Sequence, residues 1–370
     1  MKKKLLVVIQ LIRRGGVELA AVNFAKSLDK LKFDISFLLL NPYEPQDDAL
    51  KQELVLDGCK IINMPENAGG YFGKYKFIKN LIKNEKYDAV HSHTIFFSGI
   101  VLMAAKRCGV KVRAAHSHTI KWNRQENLPY KLYKYVMRFL LNINANYKLA
   151  CSQAAGDFLY GEKAYRKHGQ FIANAINIAA FSYNCDSRQD IRKAFNISQN
   201  QLLVGHVGSI YKIKNQTFLI DIFSEIIKKR PDAKLILVGE IFDKEPVVQK
   251  IEQYSLQDKV IFAGSQKDIS KFYSAMDIMI FPSLHEALPL SLIEAQASKL
   301  PCLVSDTVTK EVKFNENVDF LPLSAAPSVW ADEALSLIKT DRQSVCTDEL
   351  CKVYDIKSVS AQLEQIYLSE

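Results

Sequence analysis

Two glutamates with seven residues between them lie where a strand gives way to a helix. Glu286 falls in the loop after the apolar strand predicted for 277–281, and Glu294 falls inside the helix predicted to start at Pro289. Proline is favoured at the first helical position because the N–H that it lacks would have no helical partner there. The free N–H groups of a helix start favour a phosphate, and ionised carboxylates accept hydrogen bonds from hydroxyls. A ligand that carries both groups, such as a nucleotide-sugar, would fit this segment.

The string around these glutamates resembles a known enzyme family. It comprises, in order, Tyr273, Asp277-Ile-Met-Ile-Phe-Pro-Ser, Glu286, Pro289, Glu294-Ala, Pro301 and Ser305-Asp306. It is similar to the E-x7-E region of the retaining glycosyltransferases of family 4, which have the GT-B fold. By itself, the pair would also suit two ordinary glutamates, one in a loop and one on a solvated helix face. The resemblance covers essentially the whole chain and is closest to bacterial enzymes of exopolysaccharide and capsule synthesis.

The resemblance implies a donor site in the C-terminal half of the chain. There Glu294 would bind the ribose, and Glu286 would bind hydroxyls of the transferred sugar at the reacting centre. The remaining donor residues that it implies are Lys212, Lys214, Leu288, Pro289 and Leu290 for the diphosphate, and Gly264, Ser265 and Gln266 for the base. Ser209 stands where the family has an arginine. Because serine lacks the charged fork of donors of arginine, we expect weak donor binding unless Lys212 compensates.

Paired glycines, Gly15 and Gly16, follow the first predicted strand and precede a helix. Glycine lets the backbone approach a ligand closely, and a helix N-terminus attracts phosphate. The pattern is neither G-x-G-x-x-G nor a P-loop, which excludes those two nucleotide-binding motifs. A plain strand-to-helix turn is the alternative. The resemblance implies that Gly16 lies beside the donor phosphate, with Gly15 at the acceptor.

Two near-identical strings, His91-Ser-His93-Thr94 and His116-Ser-His118-Thr119, each end a predicted strand. Residues two apart on a strand share a face, so four imidazoles could gather around a metal ion. That arrangement would suit a metal-dependent hydrolase. The alternative is that these histidines orient loops through hydrogen bonds. The resemblance implies a third role, in which His116 contacts the donor sugar and His93 supports the same cleft, with no metal and no cofactor beyond the nucleotide-sugar.

The charge is unevenly distributed along the chain. The 370 residues carry a net charge of +9, but residues 1–183 hold 28 Lys and Arg against 14 Asp and Glu, and the rest hold 21 against 26. A basic N-terminal half favours an anionic partner, and we expect an anionic membrane surface rather than nucleic acid. The basic aromatic segments 121–124 and 130–141 could lie on such a membrane, or form an ordinary domain helix with snorkelling lysines.

The cysteines bear on the compartment. They number seven, and no C-x-x-C pair is present, which favours reduced thiols in the cytoplasm. No segment approaches the about 20 apolar residues of a membrane helix, and the apolar run 5–12 is predicted to be a buried strand. We therefore expect a cytoplasmic protein bound peripherally to the inner face of the cell membrane.

Short apolar strands alternate with amphipathic helices along the whole chain. Strands are predicted at 5–12, 33–40, 59–63, 87–91, 110–116, 147–151, 202–207, 235–238, 260–262, 278–281 and 302–304. This alternation predicts two α/β domains, each a Rossmann-like, doubly wound parallel sheet. We predict an acceptor-binding domain at 1–182, a nucleotide-sugar-binding domain at 183–354, and an irregular hinge at 175–199. The GT-B resemblance implies that the two domains face a cleft and that the last helix, 355–370, returns to the N-terminal domain.

The interpretation that joins these observations is a retaining hexosyltransferase. It would move a hexose from a nucleotide-sugar, with UDP as the expected nucleotide, to a saccharide acceptor that is plausibly lipid-linked. Three alternatives stay open at this point. They are a nucleotide-sugar epimerase of the same fold, the metal-dependent hydrolase, and a non-catalytic sugar-binding protein that the serine at position 209 would explain.

Overall fold

The structure is a computed structural model that describes residues 2–13, 16–120, 127–286, 288–339 and 341–369. Its contacts divide the chain into two compact units. Unit 1 comprises Met1–Ile176 and Val353–Glu370, and unit 2 comprises Asn177–Lys352. The domain boundaries predicted from sequence fall after residues 182 and 354, compared with 176 and 352 in the structure.

Unit 1 contains a seven-stranded parallel sheet. Its strands are β1 (Lys3–Ile9), β2 (Phe33–Leu39), β3 (Lys60–Asn63), β4 (Ala89–Ser92), β5 (Val112–Ser117), β6 (Tyr147–Ala150) and β7 (Gly169–Phe171). The order across the sheet is β3-β2-β1-β4-β5-β6-β7, so the direction of winding reverses between β1 and β4. Ligands of open α/β sheets bind at such a reversal, beyond the carboxyl ends of the strands.

Helices cover both faces of this sheet, as a parallel sheet requires. They are α1 (Gly16–Ser27), α2 (Asp48–Leu56), α3 (Tyr71–Glu85), α4 (Ser98–Arg107), α5 (Leu128–Asn144), α6 (Gln153–Tyr160) and α7 (Glu162–His168). Side-chain oxygens cap several helix starts. Asn127 accepts a hydrogen bond from the Tyr130 N–H at α5, and Ser152 accepts one from the Ala155 N–H at α6.

Unit 2 contains a six-stranded parallel sheet. Its strands are β8 (Leu203–Val207), β9 (Lys234–Val238), β10 (Val260–Gly264), β11 (Ile278–Phe281), β12 (Cys302–Ser305) and β13 (Val318–Leu321), in the order β10-β9-β8-β11-β12-β13. The winding reverses between β8 and β11. The helices are α8 (Ile178–Phe181), α9 (Cys185–Ala194), α10 (Gln216–Lys229), α11 (Glu245–Gln253), α12 (Ser270–Ala275), α13 (Leu290–Ala297), α14 (Pro327–Leu337) and α15 (Asp348–Tyr354).

The last helix, α16 (Ile356–Leu368), belongs to unit 1 and packs on α1. Asp355 caps its start by accepting a hydrogen bond from the Lys357 N–H. Glu364 accepts a hydrogen bond from the backbone N–H of Asp29, and Tyr367 is buried beside β4. The C-terminal segment therefore completes the core of the N-terminal unit.

Three details differ from the sequence-based expectations. The predicted irregular segment 175–199 contains α8 and α9, because Asn177 and Asn184 act as side-chain helix caps there. Strands β7 and β13 had no prediction, since each is short and is interrupted by a polar residue, Gln170 or Asp319. The helix that carries Glu294 begins at Leu290, and Pro289 precedes it in an extended conformation.

Candidate functional site

The segment that follows β11 in unit 2 is held in one conformation by its neighbours. The Leu284 N–H donates to the Ile213 carbonyl at 2.8 Å, and the Asn215 side-chain amide donates to the Pro282 carbonyl at 3.1 Å. The Ser305 hydroxyl donates to the Ser283 carbonyl at 2.6 Å. These bonds link the loop after β11 to β12 and to the 3-10 turn Lys212–Lys214, which follows β8. The two loops are therefore held in fixed positions relative to each other.

This arrangement brings Glu286 and Lys214 together. The Glu286 Oε1 and Lys214 Nζ atoms are 2.6 Å apart, and the two side chains are only 17% and 13% exposed. The Lys214 Nζ also lies 4.9 Å from the centre of the Phe281 ring. A largely buried ion pair of this kind places one positive and one negative group next to each other at the carboxyl ends of β8 and β11. When a ligand binds, Lys214 can pair with a phosphate and Glu286 can accept hydrogen bonds from sugar hydroxyls.

Glu294 lies one turn inside α13, on the same segment. Its Oε2 accepts a hydrogen bond from the Tyr273 hydroxyl at 2.7 Å. Burial raises the pKa of the Glu294 carboxyl to about 7, and the bond from Tyr273 opposes that rise. Leu288 and Pro289 immediately precede this helix, Leu290 is its first residue, and the first N–H groups of any helix lack partners within it. The helix start can therefore offer donors to an anion while Glu294 offers an acceptor.

The side chains of the two lysines of the 3-10 turn have different surroundings. Lys214 faces Glu286, whereas Lys212 is exposed and borders a separate pocket of about 310 Å³. That pocket is also lined by Asn215, Asp243 and Leu284. Ser209 is half-buried, and its carbonyl accepts a hydrogen bond from the Gln216 side chain at 3.0 Å. The position of the family arginine thus carries no charge.

Three glycines bring backbone close together at the carboxyl ends of β8, β9 and β10. A Cβ atom at Gly239 would lie 2.2 Å from the Gly208 carbonyl oxygen, so no side chain fits there. The Gly239 N–H donates to the Gly264 carbonyl at 2.9 Å, and Gly264 has a φ of +67° that favours glycine. Ser265 and Gln266 follow directly, and the Gln266 amide donates to the Ala263 carbonyl. Sequence reasoning missed Gly239, although its position directly after a strand, like that of Gly208, could have identified it.

The four histidines of the repeated strings gather in unit 1, and we call them the histidine cluster (His91, His93, His116 and His118). His91, His93 and His116 are buried, and His118 is half-buried. The ring centres of His116 and His118 are 4.1 Å apart, as are those of His91 and His93. Burial lowers the pKa of His91 to about 3 and that of His118 to about 4, and it holds those of His93 and His116 well below the ordinary value. The cluster is therefore neutral at pH 7.

Other predicted residues lie elsewhere or outside the described part of the chain. Gly16 is the first residue of α1, and a Cβ atom there would meet nothing within 4 Å. Gly15 and the basic segment 121–124 lie outside the described residues. The sequence did not single out His206, whose ring stacks on that of Phe281 with 5.4 Å between the ring centres. Its Nδ1 donates to the Ile280 carbonyl at 3.0 Å, and its Nε2 accepts from the Gln216 side-chain amide at 3.3 Å.

Helix α5 exposes an apolar stripe (Leu128, Leu132, Tyr135, Val136, Phe139 and Ile143). The fractional exposures of these six side chains run from 42% to 80%. Their spacing of three and four residues places them on one face of the helix. Tyr71 and Phe72 at the start of α3 are also exposed, and the Tyr71 ring packs on Tyr133 of α5 at 5.7 Å. Within the described ranges, no helix is both long enough and apolar enough to cross a bilayer.

Comparisons with known proteins match both units. The family model described as Glycosyltransferase Family 4 matches residues 14–179, and the model described as Glycosyl transferases group 1 matches residues 187–321. EpsF of Bacillus subtilis, named as a glycosyltransferase, is 31% identical to this chain over 337 residues. The match covers 90% of this chain and 86% of EpsF. The capsular polysaccharide biosynthesis glycosyltransferase CapH of Staphylococcus aureus is 26% identical, and the match covers 99% of both chains.

Solved structures show the same fold at lower identity. A glycosyltransferase from Rickettsia africae superposes with a TM-score of 0.80 at 20% identity, covering 99% of this chain and 98% of that one. HepE of Anabaena, solved in complex with UDP, superposes with a TM-score of 0.77 at 18% identity, covering 98% of each chain. These matches confirm the predicted GT-B fold. The chain therefore belongs to the glycosyltransferases that combine a family 4 domain with a group 1 domain.

Proposed function

We propose that this protein is a retaining hexosyltransferase that uses a nucleotide-sugar, with UDP as the nucleotide. The observation that carries the proposal is the buried Lys214–Glu286 pair, fixed next to the start of α13. One edge of the sheet in unit 2 carries a lysine, a helix start and two carboxylates. The lysine and the helix start can bind phosphate, and the carboxylates can accept hydrogen bonds from hydroxyls of a sugar diphosphate. CapH and EpsF support a role in exopolysaccharide or capsule synthesis, because the first is named for capsular polysaccharide and both match most of this chain.

In this proposal the donor enters between the loops after β8 and β11. Its diphosphate takes Lys214 as a counter-charge, together with the N–H groups of the Leu288–Leu290 turn. Glu286, released from Lys214, then accepts hydrogen bonds from hydroxyls of the sugar. Glu294 accepts hydrogen bonds from the ribose, and the backbone of Gly264, Ser265 and Gln266 borders the base. Ser209 adds no charge, so Lys214 is the principal cation of the site, and Lys212 is the one available to assist it.

The main requirement of the transfer step is to stabilise the negative charge that develops on the leaving diphosphate. Pre-positioned donors in a water-poor site usually contribute the largest share of catalysis. The bond between the anomeric carbon and the phosphate oxygen breaks, the acceptor oxygen bonds to the same face, and the acceptor proton passes to the released phosphate. Lysine and backbone donors suffice for this charge, so we propose a transfer step that needs no metal. The front-face course without an enzyme nucleophile follows the family resemblance.

Unit 1 would supply the acceptor side and help to orient the sugar. Gly16, the first residue of α1, would border the donor phosphate, and Gly15 would border the acceptor. His116 and His93 would act as orienting residues. Both are buried, so His118, the half-buried ring stacked on His116, is the member that a ligand reaches first.

We further propose that unit 1 rests on an anionic membrane surface from the cytoplasmic side. The apolar stripe of α5, extended by Tyr71 and Phe72, is flanked by Lys131 and Lys134. Apolar side chains beside lysines suit the boundary between lipid head groups and acyl chains. A relative from Escherichia coli acts, by its name, on a diphosphoundecaprenol-linked sugar, which supports a lipid-linked acceptor here.

The membrane part can be tested with lipid vesicles. We expect the protein to sediment with vesicles that contain anionic phosphatidylglycerol and to stay in solution with purely zwitterionic ones. The double variant Leu132→Asp, Phe139→Asp should lose this binding while its circular dichroism spectrum is unchanged. Equal sedimentation of the variant and the wild type would contradict the assignment of the stripe.

The transfer activity can be tested with a panel of UDP-, GDP- and ADP-hexoses and a lipid extract as acceptor. We expect one donor to be consumed, the lipid to gain the sugar with the anomeric configuration of the donor, and EDTA to have no effect on the rate. The variant Glu294→Ala should lose this turnover. Conversion of the donor to an epimer without an acceptor would instead identify an epimerase, and turnover that stops with EDTA would favour the metal-dependent hydrolase.

A further inference from the structure

His206 is a fully buried polar side chain in a strand that is otherwise apolar. It lies on β8, in which every residue is buried. A buried polar group costs free energy unless it is hydrogen-bonded, whereas an apolar side chain would pack in this strand without that requirement. A histidine at this position therefore indicates a role beyond packing.

The partners of His206 determine which of its nitrogens carries the hydrogen. Nδ1 lies 3.0 Å from the Ile280 carbonyl oxygen, which can only accept, so Nδ1 donates. Burial lowers the pKa of His206 to about 4, so the ring is neutral at pH 7. Nε2 then carries a lone pair, and it accepts the hydrogen bond from the Gln216 side-chain amide.

Gln216 extends this set of hydrogen bonds to the loop after β8. The side chain is buried at the first position of α10, and its amide nitrogen also donates to the Ser209 carbonyl at 3.0 Å. A primary amide has two N–H groups, and both are thus in use. The backbone at position 209, where the family has an arginine, is therefore linked to His206 through a single side chain.

The His206 ring also lies beside the side chain of Lys214. The planes of the His206 and Phe281 rings differ by only 17°, and the Lys214 Nζ lies over the Phe281 ring. A Cβ atom at Gly208 would lie 3.2 Å from the Lys214 Cε and 3.5 Å from the His206 Nε2. The lysine side chain thus passes over a glycine, beside His206, and its ammonium group lies on a ring that His206 supports.

We propose that His206 is a positioning residue for the diphosphate site. It orients Lys214 through Phe281, and it holds the loop at Ser209 through Gln216. Holding a flexible lysine in place before the ligand arrives reduces the conformational entropy that binding costs. This inference rests on the proposed function, because Lys214 is the cation that the proposed function assigns to the diphosphate.

Uridine and UDP distinguish this role from a contribution to folding alone. The variant His206→Leu carries an apolar side chain that suits the buried strand. We expect it to bind UDP about 5- to 20-fold more weakly than the wild type does, and to bind uridine, which has no phosphate, equally well. Calorimetric titration measures both affinities. Phe223→Leu, in the core of unit 2, controls for lost stability and should leave the affinity for UDP unchanged.

A double-mutant cycle with Lys214→Met tests whether His206 acts through the lysine. We expect His206→Leu to weaken UDP binding by less than about twofold in the Lys214→Met background, because the side chain that it orients is gone. The variant Gln216→Met removes the bridging amide and keeps His206, and it should also weaken the binding of UDP but not of uridine. It decides the matter if His206→Leu does not fold.

The inference is overturned if His206→Leu binds UDP as the wild type does, or if uridine binding falls as much as UDP binding. An equal loss with and without Lys214→Met would overturn it too. These results leave the proposed function in place as long as the wild type binds UDP and transfers a sugar. UDP binding that depends on His206, without transfer of a sugar, would count against the proposed function alone. If the wild type binds no UDP, both are wrong.

Discussion

At the residue scale, the environment of Glu294 decides how it can be used. The carboxyl is half-buried, and burial raises its pKa to about 7, while the Tyr273 hydroxyl donates to its Oε2. A group with a pKa near 7 changes charge within the physiological range. Its ability to accept two hydrogen bonds from a ribose therefore depends on pH.

We expect nucleotide binding to strengthen as the pH rises through about 7. Only the ionised carboxylate accepts hydrogen bonds with both oxygens, and a group with this pKa is about one-tenth ionised at pH 6, so the apparent affinity should fall about tenfold there relative to pH 8. Calorimetric titration with UDP at several pH values measures this. The nucleotide itself takes up protons near pH 6, and the variant Glu294→Gln controls for that. A step of the same size in the variant would show that Glu294 is not its source.

For the candidate site, the sequence predicted which residues take part better than it predicted which of them are in contact. Glu286, Glu294 and Lys214 could be selected because loop, helix and spacing are readable along the chain. The contact between Lys214 and Glu286 could not, since it joins loops 72 positions apart and depends on how β8 and β11 pair. The burial of His116 could not be predicted either, because its ring stacks on Phe24 of α1, which is far away in the sequence.

At the element scale, apolar runs and amphipathic periodicity predicted most strands and the long helices, but they did not predict several short elements. Strand β1 is apolar and buried from Leu5 onward and β8 is buried over its whole length, as a parallel sheet covered on both faces requires. The edge strands β7 and β13 are short, and Gln170 and Asp319 interrupt their apolar residues, so pairing with β6 and β12 rather than a sequence pattern defines them. Helix α9 has an Asn cap but a strongly polar sequence, and its place is set by arginines that bind distant residues.

Those arginines make Asp277 a structural anchor of unit 2. Its carboxylate is 2.7 Å from both Arg188 and Arg192 of α9, and it accepts a hydrogen bond from the Leu203 N–H at the start of β8. Arg192 is fully buried. Helix α9 is thus tied to the starts of β8 and β11 by one side chain.

Replacing Asp277 with Asn should strongly destabilise unit 2. The change leaves two guanidinium groups without their counter-charge, one of them fully buried, and breaking a buried pair costs about 3–5 kcal/mol. Urea unfolding followed by circular dichroism measures the change. Glu349→Gln, which breaks the exposed pair with Lys352, should leave the stability nearly unchanged, because exposed ion pairs contribute little. Equal effects of the two substitutions would mean that the Asp277 network adds nothing to stability.

At the scale of the whole molecule, the chain is two α/β units with separate sheets and separate cores. The predicted alternation of strands and helices was sufficient for the fold class because parallel sheets need crossover helices. The exact ends of the units were not predictable, since they depend on which core the segments near 177 and 353 join. The proposed division of labour follows the charge, with a basic unit 1 toward the membrane and acceptor, and a donor site in unit 2.

The measurement that tests this account most directly is saturation-transfer NMR of UDP-hexoses with the wild type, Lys214→Met and Lys228→Met. Lys228 is an exposed lysine of the same unit, paired with Glu225, and serves as the control. We predict binding of one UDP-hexose through ribose and sugar protons, about 10- to 100-fold weaker with Lys214→Met because a charged hydrogen bond is lost, and unchanged with Lys228→Met. The substitution Ser209→Arg, which introduces the arginine that the family has at this position, should strengthen the binding of the UDP-hexose. Undiminished binding by Lys214→Met would contradict the placement of the donor beside Glu286.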